Sequence, residues 1–189
     1  MKRFAFLSVL ASWLLTSNAA FAQNPIIVID TSKGKIECEL FADKAPETVK
    51  NILKYVEDKH YDGIVFHRVI ADFMIQTGGL DADMKEKRTR ESIKNESGNG
   101  LKNDRGALAM ARTNAPHSAS AQFFINVKDN DFLNKEKARD GWGYCVFGKV
   151  ADAPSMEVVD LIRRVPTTTR GGHENVPEEP VTVRSIRKK

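Results

Sequence analysis

One short apolar stretch, residues 64–77, constrains the fold of this chain more than any other. Read as an extended strand, its first half has apolar side chains on both faces, with Ile64, Phe66 and Ile70 on one and Val65 and Val69 on the other. Such a strand is covered on both sides. Ala71-Asp72 separates it from a second short strand, Phe73–Thr77, which the Gly78-Gly79 pair ends. The stretch therefore predicts a buried hairpin.

A single charged residue, Arg68, interrupts the first of these strands. A guanidinium in apolar surroundings costs free energy unless it is paired or has a function. A structural ion pair and a donor in a binding site both fit this position. Phe73, Met74 and Gln76 follow within the same hairpin. The set suits a neutral apolar ligand with one polar group, and it contains no nucleophile or general base with an obvious partner.

The first residues have the form of an export signal. A basic start precedes the apolar run Phe4–Leu15, and Ala20-Phe21-Ala22 is a small-x-small cleavage site. The run is too short to span a membrane, and no second run of spanning length follows. An uncleaved N-terminal anchor is the alternative. We expect a signal peptide over residues 1–22, one domain over residues 23–189, and a periplasmic product without stable membrane association.

The charge of the chain does not favour nucleic-acid binding. The formal net charge is +4 and the pI is about 9.0. Without Lys2 and Arg3, 27 basic residues stand against 25 acidic ones, which leaves about +2. The basic run Lys85–Arg90 has no interleaved aromatic residues, as is typical of a solvated loop. We therefore expect no nucleic-acid partner.

The residues that often carry catalysis or bind metals give no pattern here. Cys38 and Cys145 allow one disulfide in an exported protein, or two buried free thiols. No Cys/His spacing predicts a metal or redox centre. The loop Arg112–Ser120 holds both serine and histidine, but it lacks the Gly-x-Ser-x-Gly elbow of a hydrolase.

Short strands make up most of the remaining pattern. The strand-like segments are Ile26–Asp30, Lys35–Phe41, Ile64–Ile70, Phe73–Thr77, Gly106–Ala111, Phe123–Val127, Tyr144–Val150 and Val181–Ile186. Residues 167–180 are turn-rich and are predicted as a connection.

Only two helices are predicted. One begins at Pro46 and has an apolar face that includes Val49 and Val56. The other is Ala153–Val165, with Val158, Leu161, Ile162 and Val165 on one face. Two separated helices are too few for a repeated βαβ pattern. The pattern fits an all-β antiparallel barrel or sandwich and does not separate the two.

The central hairpin also resembles a known signature. Residues 66–79, FHRVIADFMIQTGG, are similar to the pattern FHR-hydrophobic-I-PG-FM-x-QGG of the cyclophilin-type peptidyl-prolyl cis/trans isomerases. Three further family motifs follow in order: RGALAMA at 105–111, AQFFIN at 121–126 and VFGKV at 146–150. The resemblance runs from about Pro25 to the C-terminus. It implies a closed eight-stranded antiparallel barrel with an α-helix at each end.

The resemblance assigns the site roles of the family to the matching positions of this sequence. The resemblance implies that Arg68 is the catalytic donor to the prolyl nitrogen. It implies that the remaining site residues bind substrate, namely Phe73, Met74, Phe124 and Leu133 around the proline ring, Gln76 with Gln122 beside it, and Ala111 with Arg112 at the residues before proline, mainly through backbone groups.

Departures from the signature point to one branch of the family. Ala71-Asp72 replaces the usual Pro-Gly, and Thr77 replaces a glycine. Phe132 stands where many members have tryptophan, and Tyr144 where they have histidine. With the export signal, these two substrate-binding positions resemble the Gram-negative periplasmic branch. They imply weak binding of cyclosporin.

The activity that the resemblance implies is isomerisation of X-Pro bonds in unfolded or flexible proline-containing polypeptides, which assists the folding of exported proteins. It implies a monomer that uses no cofactor and no metal. The alternative is a catalytically idle peptide-binding chaperone module on the same scaffold. An intact Arg68 favours the enzyme, because a binding module has no need of that donor.

Overall fold

The computed structural model describes residues 24–189. The predicted signal peptide, residues 1–22, lies outside the described residues. In the described part of the chain, no helix is long and apolar enough to cross a membrane.

Ten strands and two α-helices form within residues 24–189. The strands are β1 (Ile26–Thr31), β2 (Gly34–Leu40), β3 (Arg68–Ile70), β4 (Met74–Thr77), β5 (Ala107–Met110), β6 (Phe123–Asn126), β7 (Val146–Val150), β8 (Thr167–Arg170), β9 (His173–Pro177) and β10 (Val183–Lys188). The helices are α1 (Pro46–Glu57) and α2 (Ala153–Arg163), and a single 3-10 turn spans Asp131–Leu133.

Eight of the strands form one antiparallel sheet in the order β10-β1-β2-β7-β5-β6-β4-β3. The predicted mainly-β class, the eight-stranded antiparallel sheet and the two helices are therefore confirmed. The predicted closure of the barrel is not confirmed, because β10 and β3 are the two edges of this sheet. Within residues 24–189, the two edge regions are joined by isolated residue pairs instead of a continuous ladder, for example by the bridge between Val65 and Thr182.

The central hairpin is shorter than predicted. Its first strand begins at Arg68 rather than Ile64, and Arg68 pairs with Gln76 across the turn. The residues before Arg68 make single bonds instead of a ladder. The buried Thr77 hydroxyl, for example, donates to the Val65 carbonyl oxygen at 2.9 Å. Thr77, which replaces a glycine of the family signature, thus ties the two halves of the hairpin together.

Both helices pack an apolar face on the sheet. In α1, Val49 and Val56 are buried as predicted, and Ile52 is buried with them. A residue far along the chain caps this helix, since the Glu96 carboxylate accepts from the Thr48 amide at 2.8 Å. In α2, the prediction for Leu161 was wrong, because its side chain is 54% exposed.

The main core lies between the helices and the sheet. Cys38 and Cys145 are both buried in it, and both thiols are free. Burial raises the pKa of Cys145 to about 11 and that of Cys38 further. The two cysteines therefore behave as small apolar residues.

Candidate active site

All eleven predicted site residues line one groove on the sheet, with a volume of about 670 Å³. They come from separate parts of the chain, which the pairing of β3, β4, β6 and β5 brings together. A second, smaller cluster of buried apolar residues underlies this groove and includes Met74, Phe124 and Leu133. The site therefore has its own packed base, distinct from the main core.

Arg68 lies at one side of the groove, on the edge strand β3. It is only partly buried, and its guanidinium carbon is 6.0 Å from the centre of the Phe73 ring. Within residues 24–189, no carboxylate forms a salt bridge with it. The structural ion pair that the strand pattern left open is thus not supported. A guanidinium beside an aromatic ring and without a counter-ion keeps its donors available for a ligand.

The apolar part of the groove is built mainly from aromatic rings. Phe124 is 4% exposed and meets the Tyr144 ring edge-on, with 5.8 Å between ring centres. Phe73 stacks on Phe132 at 5.6 Å, and Phe132 itself is 56% exposed. The rings enclose a hollow for a compact apolar group, and Phe132 forms its outer rim.

Two amide side chains stand beside this hollow. The Gln76 Nε2 atom donates to Gln122 Oε1 at 2.9 Å. In the sheet, Gln76 is opposite Arg68 on one side and Phe124 on the other. The remaining donors and acceptors of the amide pair can therefore bind a peptide backbone between the guanidinium and the apolar hollow.

Arg112 does more than the sequence indicated. It was expected to act mainly through its backbone, but its side chain is only 3% exposed and lies over the Tyr144 ring at 4.6 Å. Its Nε atom donates to the Gly143 carbonyl oxygen at 3.0 Å, and Nη2 pairs with the Asp140 carboxylate. This bond holds the pKa of Asp140 at about 2, so the pair stays ionised at neutral pH.

The structure adds groove residues that sequence reasoning missed. His67 precedes Arg68 and is 5% exposed. Burial lowers the pKa of its imidazole to about 4, and the electrostatic effect of the nearby His173 contributes to this shift. His67 is therefore neutral at pH 7. Two other parts of the chain also line this end of the groove, namely residues 172–175 and Glu86. The FHR motif could have drawn attention to His67, but no local signal showed that residues 172–175 or Glu86 reach the groove.

Serine and histidine in the loop 112–120 do not form a catalytic pair. Ser118 Oγ bonds within its own loop, to Thr113 and to the Ala115 carbonyl oxygen. The His117 ring accepts from the Asn95 amide at 3.1 Å and stands against Trp142. Among the described residues, no group of three or more potential ligands is arranged to hold a metal ion.

The sheet, the helices and the groove define a cyclophilin-type protein, and comparison with known families agrees. Residues 26–188 match the family described as cyclophilin type peptidyl-prolyl cis-trans isomerase/CLD. The chain therefore belongs to this family.

The chain is similar to named bacterial proteins. The chain is 56% identical over 162 residues to peptidyl-prolyl cis-trans isomerase B of Escherichia coli strain K12, covering 85% of this chain and 98% of that protein. It is 51% identical over 186 residues to a peptidyl-prolyl cis-trans isomerase of Acinetobacter baylyi, covering 98% and 95%.

A solved structure with a similar fold comes from a eukaryote. It is the cyclophilin type peptidyl-prolyl cis-trans isomerase of Cryptosporidium parvum, with a TM-score of 0.68 and 26% identity, covering 88% of this chain and 98% of that one. The same protein was also solved in the presence of the dipeptide Ala-Pro, with a TM-score of 0.67 to this chain.

Proposed function

We propose that this protein is a peptidyl-prolyl cis/trans isomerase that acts on X-Pro bonds of flexible polypeptides through Arg68. The observation that carries this proposal is the Arg68 guanidinium at the side of an apolar hollow, where no carboxylate of residues 24–189 forms a salt bridge with it. The names of its bacterial relatives, and the use of Ala-Pro with the Cryptosporidium protein, support the same reaction.

The reaction needs a donor more than it needs a nucleophile. An X-Pro bond resists rotation with a barrier of about 18–20 kcal/mol, because resonance gives its C–N bond double-bond character. Rotation localises the lone pair on the prolyl nitrogen, which becomes a hydrogen-bond acceptor only in the twisted state. A donor at that nitrogen binds the twisted state more tightly than either planar isomer. Arg68 suits this task because its guanidinium is always charged and rigid.

The other groove residues hold the substrate while the bond turns. An acceleration of about 10⁵-fold requires about 7 kcal/mol, and one charge-assisted hydrogen bond supplies only part of that. Met74, Phe124 and Leu133 enclose the proline ring, and Gln76 bonds the backbone. Ala111 and Arg112 meet the residues before proline. Asp140 and Tyr144 hold the Arg112 side chain in place.

The test is an isomerisation assay on a short X-Pro peptide, monitored by NMR exchange between the cis and trans resonances. An isomerase shortens the exchange time of tens of seconds to milliseconds at catalytic protein concentrations. A peptide-binding module on the same scaffold shifts the peptide resonances without changing the exchange rate, and that result would contradict the proposal.

We also infer that the barrel closes through the segments before its edge strands. This is supported by backbone hydrogen bonds from the Phe66 amide to the Val181 carbonyl oxygen at 2.9 Å and from the Val183 amide to the Ile64 carbonyl oxygen at 2.8 Å. Slow hydrogen exchange of both amides, comparable to that of strand amides, is the corresponding measurement.

Cyclosporin is expected to bind weakly. Phe132 at the rim is 56% exposed and has no N–H, whereas a tryptophan there could donate to a peptide carbonyl. Phe132→Trp should then tighten cyclosporin binding by about tenfold, the value of one such hydrogen bond. Titration calorimetry on both proteins measures this. Tight binding by the wild type, or no gain in the variant, would show that this donor is not decisive.

We propose that residues 1–22 direct export to the periplasm and are removed there, which leaves a mature monomer that begins at Gln23. The small-x-small site at residues 20–22 and the turn-prone Asn24-Pro25 support this cleavage position. The intact mass of the periplasmic protein should equal that of residues 23–189. Retention of residues 1–22 would contradict the prediction.

A further inference from the structure

The hairpin β8–β9 was predicted as a mere connection, but it is an ordered element that reaches the groove. Gly171 and Gly172, both with positive φ, form the two-residue turn between Arg170 and His173. Val176, in the second strand, is 3% exposed and anchors the hairpin. The Met84 side chain packs behind the turn, since a Cβ atom added to Gly171 would lie 3.5 Å from it.

The tip of this hairpin, residues 172–175, stands at the Arg68 end of the groove. The strand order β5-β6-β4-β3 places Ala111, which follows β5, and Arg68, which is in β3, at opposite ends, and β9 packs against β3. If Ala111 meets the residues before proline, a peptide that crosses the groove brings the residue after proline to the tip. This step rests on the proposed function.

The charges at the tip are free to act on a ligand. Glu174 is exposed and lines the groove, and no salt bridge engages it within residues 24–189. At the other end, Arg112 is already neutralised by Asp140. His173 and Glu86 are the remaining titratable groups that line this end beside His67 and Arg68.

We propose that the β8–β9 tip is a specificity element for the residue that follows proline, and that the Glu174 carboxylate favours a basic side chain there. A long, flexible lysine or arginine can reach an exposed carboxylate, whereas a glutamate at the same position is repelled. His173, next to Glu174, also lines the groove at this tip.

The test compares Gly-Ala-Pro-Lys-Gly with Gly-Ala-Pro-Glu-Gly by NMR exchange at low ionic strength. The wild type should prefer the lysine peptide by about two- to fivefold in kcat/KM, the range of an exposed ion pair. Glu174→Lys should invert this preference. The matched control is Glu179→Lys, which makes the same charge change at an exposed residue outside the groove. It should keep the wild-type ratio.

Salt and a second variant sharpen the result. The preference should shrink in 0.5 M NaCl, because exposed charges are screened over a few ångströms there. Glu86→Lys should lower the ratio less than Glu174→Lys, and the reverse order would overturn the assignment to the hairpin. An unchanged ratio in Glu174→Lys would also overturn it. If no peptide is isomerised, the proposed function fails, and peptide affinities for the same variants still decide the selectivity.

Discussion

Replacing Arg68 by alanine is expected to lower kcat for X-Pro isomerisation by at least about 100-fold, while peptide affinity falls by less than about threefold. The reason is that the acceptor it binds, the prolyl nitrogen lone pair, exists only in the twisted state. Phe124→Ala should behave differently and weaken binding and turnover together, because the proline ring occupies its hollow in every state. Exchange NMR for kcat and titration for affinity measure the two effects.

Two further variants test whether the planar guanidinium matters beyond its positive charge, and whether the loss of any arginine lowers activity. Arg68→Lys should rescue little of the activity, because an ammonium on a flexible stem does not reproduce the planar fork. Arg164→Ala, which removes an exposed arginine at the end of α2, should have wild-type activity. Unchanged circular dichroism must show that each variant is folded. Equal losses of affinity and turnover in Arg68→Ala would mean that Arg68 only binds substrate.

The local parts of the structure could be predicted because their signals lie close together in the sequence. The apolar side chains on both faces of residues 64–70, with the break at Ala71-Asp72, predicted the hairpin, and Pro46 predicted the start of α1. The family signature then placed all eleven site residues, and one groove holds them. The activity was predicted from the same resemblance. The strand pattern alone did not separate a barrel from a sandwich, and it did not separate a structural ion pair at Arg68 from a donor in a binding site.

The parts that could not be predicted depend on contacts across long sequence separations. Asp140 holds Arg112 from 28 residues away, and Glu96 caps α1 from 48 residues away. No spacing rule links such positions. The β8–β9 hairpin was missed for another reason, since its exposed residues do not alternate and only Val176 and Pro177 are buried. A Gly-Gly pair between two threonine- and valine-containing segments could have indicated it.

The sequence pattern also did not reveal a cluster of buried asparagines under the groove. Asn103, Asn126 and Asn130 are fully buried and Asn134 is 5% exposed. Asn126 is central, because its Nδ2 donates to Asn103 Oδ1 at 3.2 Å and its Oδ1 accepts from Asn130 at 2.7 Å. The cluster holds two walls of the site through their carbonyl oxygens.

Those two walls are Phe73 and Tyr144. Asn130 Nδ2 donates to the Phe73 carbonyl oxygen at 2.9 Å, and Asn103 Nδ2 donates to the Tyr144 carbonyl oxygen at 3.3 Å. Asn126 also donates to the Ala107 carbonyl oxygen at 3.1 Å and so fixes the cluster to β5. Removing Asn126 therefore leaves several buried polar groups without partners, which costs more than the lost bonds alone.

Asn126→Ala is accordingly expected to destabilise the protein by about 3 kcal/mol, which lowers Tm by about 6–12 °C for a chain of this size. Peptide affinity should fall as well, because Phe73 and Tyr144 lose a fixed base. Asn114→Ala, in an exposed loop, is the matched control and should leave Tm within about 1 °C. Calorimetry on both variants checks this, and a loss in Asn126→Ala no larger than in the control would mean that the cluster contributes nothing.

Asn126→Asp distinguishes the hydrogen bonds of this cluster from its shape. An aspartate has nearly the same volume, but burial without a cationic partner raises its pKa above the unfolded value of about 3.9. Its folded form then favours the protonated acid, so stability is retained at pH values below that unfolded pKa and is lost as the pH rises through the raised one. The variant should therefore be markedly less stable at pH 7 than the wild type and recover part of the difference near pH 4. A Tm difference that is independent of pH would show that position 126 is solvated, and the buried network inferred here would then not hold the walls of the groove.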